Sequence, residues 1–508
     1  MTAAGGSLVP RLWALCHVLR DDGITYHQYV EELALLLFLK MAKETGAEAQ
    51  LPAGSRWDDL KAACTERQLP FYKTLLTRLG EVAERRVRDI FAGATTSLRG
   101  ARHLAALIAA VDALPLTQTA IARGAPAAAS DAAGRPEGMA ELYEGLLEKN
   151  ASELKSGAGQ YFTPRPLVEC IVRLLRPRRG ERIQDPAAGT GGFLIYADRY
   201  MRAAEGVADP PRKTAGAPPP ELLGVELVPS TRRLALMNLT LHGVGGEVLL
   251  GDTLTALGTT LGAADVILSN PPFGNKRGGG APDRPDLAIP TRNKQLLFLQ
   301  HCYKALRPGG RAAVIVPDNV LFEEHAGAAL RRELLHCCNL HTLLRLPAGI
   351  FYAPGVKTNV LFFSRPSSAP AGDASQRVWI YDLRTGLPPL GKRTPLRSEH
   401  LRDFEQRFGD DPHGNAPRLD TGPQGRFRCF TREELRRRGD SLDLSWRPTD
   451  AAPNERETPP SPHLLAGEIL TRLRTAAIEM EALAAELAPA AQPDRGLLDA
   501  APPVHDPR

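Results

Sequence analysis

Apolar residues recur at three and four spacing through residues 8–116, the period of amphipathic helices. Within that stretch residues 29–40 are apolar almost all round, which predicts the central helix of a bundle. Arg85, Arg86 and Arg88 read either as a basic face or as ordinary solvated helix surface. The pattern stops where Ala, Pro, Gly and Ser take over. A linker is therefore expected at 124–138, with a helical domain at 8–123 before it.

Beyond the linker the pattern alternates between short apolar runs and helical periods, as in an α/β domain. Thr163 followed by Pro164 predicts an N-cap and a first helical position, opening an amphipathic run over 168–175. Arg182-Ile183-Gln184-Asp185 reads as a strand, followed by a glycine turn and a helix. Residues 204–220, rich in Pro, Ala and Gly, read as a flexible insertion. Strands are expected at 222–226 and 247–250 with a helix at 229–242 between them. A further strand, Val266-Ile267-Leu268, runs into Ser269-Asn270-Pro271-Pro272-Phe273-Gly274. Residues 275–292 read as a mobile excursion whose Lys276, Arg277, Arg284 and Arg292 either meet phosphates or are solvated loop charge. A helix is expected at 294–306, a turn at 307–310, and strands at 311–316, 340–346, 359–364 and 377–383. The α/β domain is thus expected to span 139–400. An irregular extension at 401–460, an amphipathic helix for subunit assembly at 461–489 and a disordered tail at 490–508 complete the expected organisation.

The length of 508 residues and 43% hydrophobic content allow two or three domains with sizeable cores. A formal net charge of +5 is modest for this length, so any basic surface would be local. The 7 cysteines include no Cys-x-x-Cys pair, and the adjacent Cys337-Cys338 lacks tetrahedral ligand spacing, so reduced thiols and no metal centre are expected. The longest apolar run, 33–39, is too short to span a bilayer, and a soluble cytoplasmic protein is expected.

Candidate chemistry concentrates at the predicted strand ends. After Leu268 the two prolines, an aromatic and a glycine cannot continue pairing, so the chain leaves the sheet in a rigid loop. Either this is an ordinary strand exit, or Asn270 and Phe273 present an amide and a flat apolar face to a planar ring bearing an exocyclic amine. Asp185, Glu226 and Asp252 close three other strands on what would be the same sheet edge. Gly189 and Gly191 would let a ligand approach the backbone. Position 194, where a dinucleotide fingerprint would want Gly or Ala, is Leu, and the leading Asp185 would repel a pyrophosphate. A cationic cofactor fits better.

In order and content these motifs resemble the modification (M) subunits of type I restriction-modification systems, which are N6-adenine DNA methyltransferases. The segments carrying the likeness are Gly159 to Pro164, Asp185 to Leu194, Glu226, Asp252, Asn270 to Gly274, Asn293-Lys294-Gln295, Val316-Pro317-Asp318 and Val356 to Phe363. The resemblance implies a Rossmann-like class I fold, a mixed doubly wound sheet with one antiparallel edge strand, preceded by an all-α domain and followed by a helical tail. It implies S-adenosyl-L-methionine as cofactor, bound by Tyr161, Phe162, Thr163, Asp185, Ala187, Gly189, Thr190, Gly191, Gly192, Glu226 and Asp252. In that assignment Asp185 serves the methionine end, Glu226 the ribose and Asp252 the adenine, while Phe162 and Thr163 close the pocket. Asn270, Pro271, Pro272 and Phe273 would then be catalytic toward an adenine flipped out of double-stranded DNA.

No segment resembles a duplicated target-recognition module, so a separate specificity (S) subunit is expected, with two M chains per S and a restriction (R) subunit as a further candidate partner. Two features depart from the family pattern: the insertion before Glu226, and a shortened loop around Phe351 and Tyr352, which are candidates for a second base-stacking wall. Alternative functions are a stand-alone or other-type adenine DNA methyltransferase, a non-catalytic binding subunit, and a protein glutamine methyltransferase with a similar Asn-Pro-Pro loop.

Overall fold

The computed structural model of the chain describes residues 26–113, 145, 163–205, 221–274, 284–351, 357–385, 387, 390–391 and 394–446. All of them belong to one compact unit that ends at Arg447. The amphipathic helix and tail expected at 461–508, the linker at 124–138 and the insertion core at 206–220 lie outside the described residues.

The N-terminal helices are α1 (Tyr26–Thr45), α2 (Trp57–Ala62), α3 (Thr65–Leu79), α4 (Arg85–Phe91) and α5 (Ala101–Asp112). As its all-round apolarity predicts, α1 is the central one, with Leu33, Leu35, Leu36, Leu37 and Leu39 all buried. Buried Lys40 on α1 is satisfied by Glu44 at 2.7 Å and by Asp112, which also accepts from Lys61 and from the Trp57 indole N–H at 3.0 Å. The carboxylate of Asp112 thereby ties α1, α2 and α5 together.

Next come α6 (Arg165–Leu175), β1 (Arg182–Asp185), α7 (Gly192–Ala204), β2 (Glu221–Glu226), α8 (Pro229–Leu241), β3 (Glu247–Leu250), α9 (Leu257–Thr260), β4 (Ala264–Ser269) and α10 (Lys294–Ala305). The chain continues through β5 (Leu306–Pro317), α11 (Asn319–Phe322), α12 (Ala326–Cys337), β6 (Asn339–Leu346), β7 (Thr358–Ser364) and β8 (Arg377–Asp382). It closes with α13 (Ser398–Phe408), β9 (Phe427–Thr431) and α14 (Arg432–Arg437). One nine-stranded sheet results, in the order β3-β2-β1-β4-β5-β7-β6-β8-β9. Strands β1 to β5 are mutually parallel, and the order reverses between β1 and β4. A reversal of that kind opens a crevice at the strands' carboxyl ends.

Four expectations need correction. The sheet holds two antiparallel strands, not one: β7 lies inside it between β5 and β6, antiparallel to both, and every one of its residues is buried. The other is the expected antiparallel edge strand, β9, which pairs with β8 and whose Phe427 stacks on Trp379 with ring centroids 4.9 Å apart. The stretch from 401 is accordingly not irregular over its described part. Its α13 crosses the expected boundary at 400 and buries Leu401, Phe404 and Phe408 against Phe362 and Tyr381. Thr163 does not cap α6; Pro164 takes that place, with Pro166 at the second helical position. Finally, two of the three bundle arginines are a domain contact. Arg86 donates to Gly246 O at 2.7 Å and Arg85 pairs with Glu247 at 2.7 Å, while Arg88 stays exposed. From the other side Arg232 reaches Asp89 at 2.8 Å, and Arg233 reaches Ile90 O at 2.9 Å and Ala92 O at 3.1 Å. Among the described residues no helix is long and apolar enough to cross a membrane.

Candidate active site

The crevice between β1 and β4 is built from two loops. The first leaves β1 at Asp185 and turns through Gly189 (φ 54°) and Gly191 (φ 82°), both in the left-handed region where a side chain is strained. Gly191 is the N-cap of α7. A Cβ placed on Gly189 or Gly192 would meet no atom within 4 Å, so the turn presents bare backbone to open space. Beneath it packing is tight: a Cβ on Gly224 of β2 would lie 2.8 Å from the Ala188 Cβ.

Three acids converge on this turn. Asp185, 1% exposed, accepts from the Ala187 N–H at 3.1 Å and from the Ser269 hydroxyl of β4 at 2.9 Å. Burial outweighs those hydrogen bonds and lifts its carboxyl to about 7, with the nearby Glu226 charge adding to the rise. Glu226 accepts from Gly189 N–H at 3.1 Å and Val228 N–H at 2.8 Å, and burial raises its pKa against those bonds. Half-buried Asp252 accepts from Leu254 N–H at 2.8 Å, and its neighbour Thr253 donates to Pro186 O at 2.6 Å. Thr190 O receives the Asn238 amide at 3.1 Å, and half-buried Ala187 packs on Leu254, Leu287, Leu297 and Phe298.

The second loop leaves β4 after Ser269. Pro271 is buried, while Asn270, Pro272 and Phe273 are half-buried, and Phe273 packs against the main core cluster. The Asn270 amide donates to the Thr163 hydroxyl at 3.0 Å, which joins this loop to the segment preceding α6. Ser269 and Asp185 then link the two loops at their roots. Thr163, Asp185, Ala187, Gly189, Thr190, Gly191, Gly192, Glu226, Asp252 and Asn270 to Phe273 thus share the carboxyl edge of one sheet. Tyr161, Phe162, Lys276, Arg277 and Tyr352 lie outside the described residues.

Two candidates prove structural. Arg284 is buried, gripping Asp286 through two bonds of 2.6 Å and donating to Thr253 O at 2.7 Å, so it has no share in phosphate contact. Arg292 is exposed. Phe351 is 6% exposed and belongs to the main core cluster, so its ring is part of the packed interior.

One feature of this edge escaped the sequence reading. Arg384 spans four strand ends, donating to Leu346 O at 3.1 Å, Thr358 O at 3.2 Å, Asn359 Oδ1 at 3.1 Å and Asp318 Oδ2 at 3.1 Å. Burial works to raise the Asp318 carboxyl, but the bonds from Arg384 and Asn359 prevail and lower it. Only the charge pattern Asp318…Arg384 hinted at it, across 66 residues.

The donor set fits S-adenosylmethionine. Two buried carboxylates and an open glycine turn suit a cation and a ribose, and the turn carries no basic group for a phosphate.

Comparison with known proteins agrees. The N-6 DNA methylase family matches residues 135–438, more than half of the chain. The methylase subunit of the type I restriction enzyme EcoKI of Escherichia coli strain K12 is 45% identical, covering 97% of this chain and 98% of its own. The crystal structure of the EcoKI M protein matches with a TM-score of 0.54 at 40% identity, over 96% of this chain and 97% of that one. A structure described as the basis of complex assembly and conformational transition of the type I restriction-modification system matches with a TM-score of 0.65 at 28% identity, over 96% and 99%.

Proposed function

The chain belongs to the N-6 DNA methylase family, and from that premise we propose that it is the methyltransferase subunit of a type I restriction-modification system, methylating N6 of adenine in DNA. The observation that carries the chemistry is the pairing of an acid-lined glycine turn with the Asn-Pro-Pro-Phe loop at a single switch point of the sheet.

S-adenosylmethionine, when bound, supplies a methyl group made electrophilic by its sulfonium. In the proposed site Asp185 holds the cationic methionine end, Glu226 the ribose hydroxyls and Asp252 the adenine, while Gly189 to Gly192 offer backbone. The Asn270 side-chain oxygen and the Pro271 carbonyl accept the two N6 hydrogens of a flipped adenine, which turns the nitrogen lone pair toward the methyl group. Phe273 stacks on the base, and Pro272 stiffens the loop between them. Thr163 has a second task beside the cofactor. By accepting the Asn270 N–H it fixes the amide so that the oxygen remains for the substrate. Transfer is a direct displacement whose rate comes from alignment.

Flipping frees N6 from pairing and from its stacked neighbours, and no segment of the sequence resembles a target-recognition module. Sequence choice is assigned to a specificity subunit held by two copies of this chain, with a restriction subunit as a further partner. Tritiated methyl transfer to unmethylated DNA tests this. Incorporation as N6-methyladenine at one site is expected only with the specificity subunit present, and site-specific methylation by the chain alone would refute the division of labour.

A further inference from the structure

The Asn-Pro-Pro-Phe loop must leave the site as rigidly as it enters, because its Pro271 carbonyl and Phe273 ring act by position. Its exit is Gly274 (φ 98°). There the chain is gripped twice by the first turn of α10. Gly274 O accepts the Lys294 N–H at 3.0 Å, and Gly274 N–H donates to the side-chain oxygen of Gln295 at 3.0 Å. Gln295 is 5% exposed and has no part in the assigned base or cofactor contacts.

A glutamine can serve as that acceptor only if its amide is turned the right way, and its other end meets a series of fixed groups. Gln295 Nε2 donates to Asn319 Oδ1 at 3.4 Å, Asn319 Nδ2 donates to Glu323 Oε2 at 2.8 Å, and Asn293 Nδ2 donates to the same oxygen at 2.9 Å. Asn293 is itself locked as the N-cap of α10, its oxygen accepting the Leu296 N–H. The Glu323 backbone is held by buried Arg331, which donates to its carbonyl at 2.8 Å. An ionised carboxylate only accepts. Placed at the end of the series, Glu323 forces the Asn319 nitrogen toward itself. The Asn319 oxygen then faces Gln295, and the Gln295 oxygen faces Gly274.

We propose that Gln295 is a positioning residue for methyl transfer, and that Glu323, through Asn319, sets the polarity of a one-way amide relay that fixes the exit of the catalytic loop. The proposal rests on the catalytic reading of Asn270 to Phe273. Its signature is a suppression that simple packing does not produce. In Gln295→Glu the introduced carboxylate still receives Gly274 N–H but sets oxygen against Asn319 oxygen. Rotating the Asn319 amide cures that contact only by turning its oxygen toward the Glu323 carboxylate. Glu323→Gln supplies a donor at that point once Asn293→Asp, which still caps α10, replaces the Asn293 amide donor that would otherwise hold the introduced glutamine's oxygen there; the relay then runs in the opposite sense and the loop stays anchored.

The test measures kcat, the KM for S-adenosylmethionine and thermal melting in the full chain assembled with its specificity subunit. Gln295→Glu and the apolar Gln295→Met are each expected to lower kcat, by up to about 10²-fold for a misplaced loop, with the cofactor KM unchanged. The Asn293→Asp, Glu323→Gln pair alone turns the Gln295 amide oxygen away from Gly274 and lowers kcat. Combined, it restores most of the kcat lost in Gln295→Glu and none of that lost in Gln295→Met. A triple variant no better than Gln295→Glu overturns the relay. So does wild-type kcat in both position-295 variants while Asn270→Ala is inactive. Transfer persisting in Asn270→Ala would instead remove the catalytic reading of the loop on which the relay depends.

Discussion

Replacing Asp185 by asparagine tests both the fold and the cofactor role of the most buried acid of the site. Burial lifts this carboxyl from 3.8 to about 7 in the folded chain. Between those values the native state keeps a proton that the unfolded chain releases. The resulting stabilisation is complete below 3.8 and is lost as pH rises toward 7. Three pKa units at about 1.4 kcal/mol each make the loss about 4 kcal/mol across that window, as an order of magnitude. Asp185→Asn removes this titration, so its stability should vary less with pH, and above pH 7 it should melt no lower than the wild type.

Cofactor binding should respond in the opposite sense. A cationic methionine end needs the ionised carboxylate, of which roughly one tenth is present one unit below about pH 7. Affinity of the wild type should therefore weaken roughly tenfold per pH unit below 7. Titration calorimetry between pH 6 and 8, in buffers of different ionisation enthalpy, reads both the affinity and the proton released. The cofactor's own amine titrates equally in wild type and Asp185→Asn, so the difference between the two profiles isolates Asp185. Parallel profiles, or a variant that binds as tightly as wild type at pH 8, would refute the assignment.

Thr163→Val should lower kcat about tenfold, the loss of one orienting hydrogen bond, while Thr163→Ser stays near wild type; steady-state kinetics showing only a raised cofactor KM would contradict its role toward Asn270. Gly224→Ala drives a methyl to 2.8 Å from the Ala188 Cβ and should cost about 1–3 kcal/mol with weaker cofactor binding, and an unchanged melting temperature with full affinity would contradict the packing described. Arg232→Ala loses bonds to Val248 O at 2.6 Å and Asp89 at 2.8 Å and should destabilise by about 1.5–3 kcal/mol. Denaturant unfolding followed through buried Trp57 would show it, since the bundle should then unfold ahead of the sheet.

How much of this was legible in the chain depended on whether one residue type admits one environment. Strands β2 and β4 carry apolar runs buried on both faces, and an acid or a proline marks where each of β1, β2 and β4 leaves the sheet, so their positions and the shared edge could be read directly. Strand β9 could not, because Phe427-Arg428-Cys429-Phe430-Thr431 is short and mixed and owes its place to β8 and Trp379. Arg284 illustrates the same limit: in sequence it is one loop cation among four, and only the fold supplies Asp286 and Thr253 O. The Thr163–Asn270 bond joins residues 107 apart, and the Thr-Pro pair carries a competing local signal as a helix cap. Gln295 was visible as part of a motif, but its direction of hydrogen bonding is set by Asn319 and Glu323, which only the end of β5 brings near.

The most direct test of the central claim is methyl transfer by Asn270→Ala in the complex with the specificity subunit, measured beside cofactor affinity. The proposed role predicts N6-methyladenine from the wild type, and in the variant a kcat lower by at least about 10²-fold with cofactor affinity unchanged. A variant that loses affinity in proportion to rate, or that still methylates adenine at the wild-type rate, would contradict it.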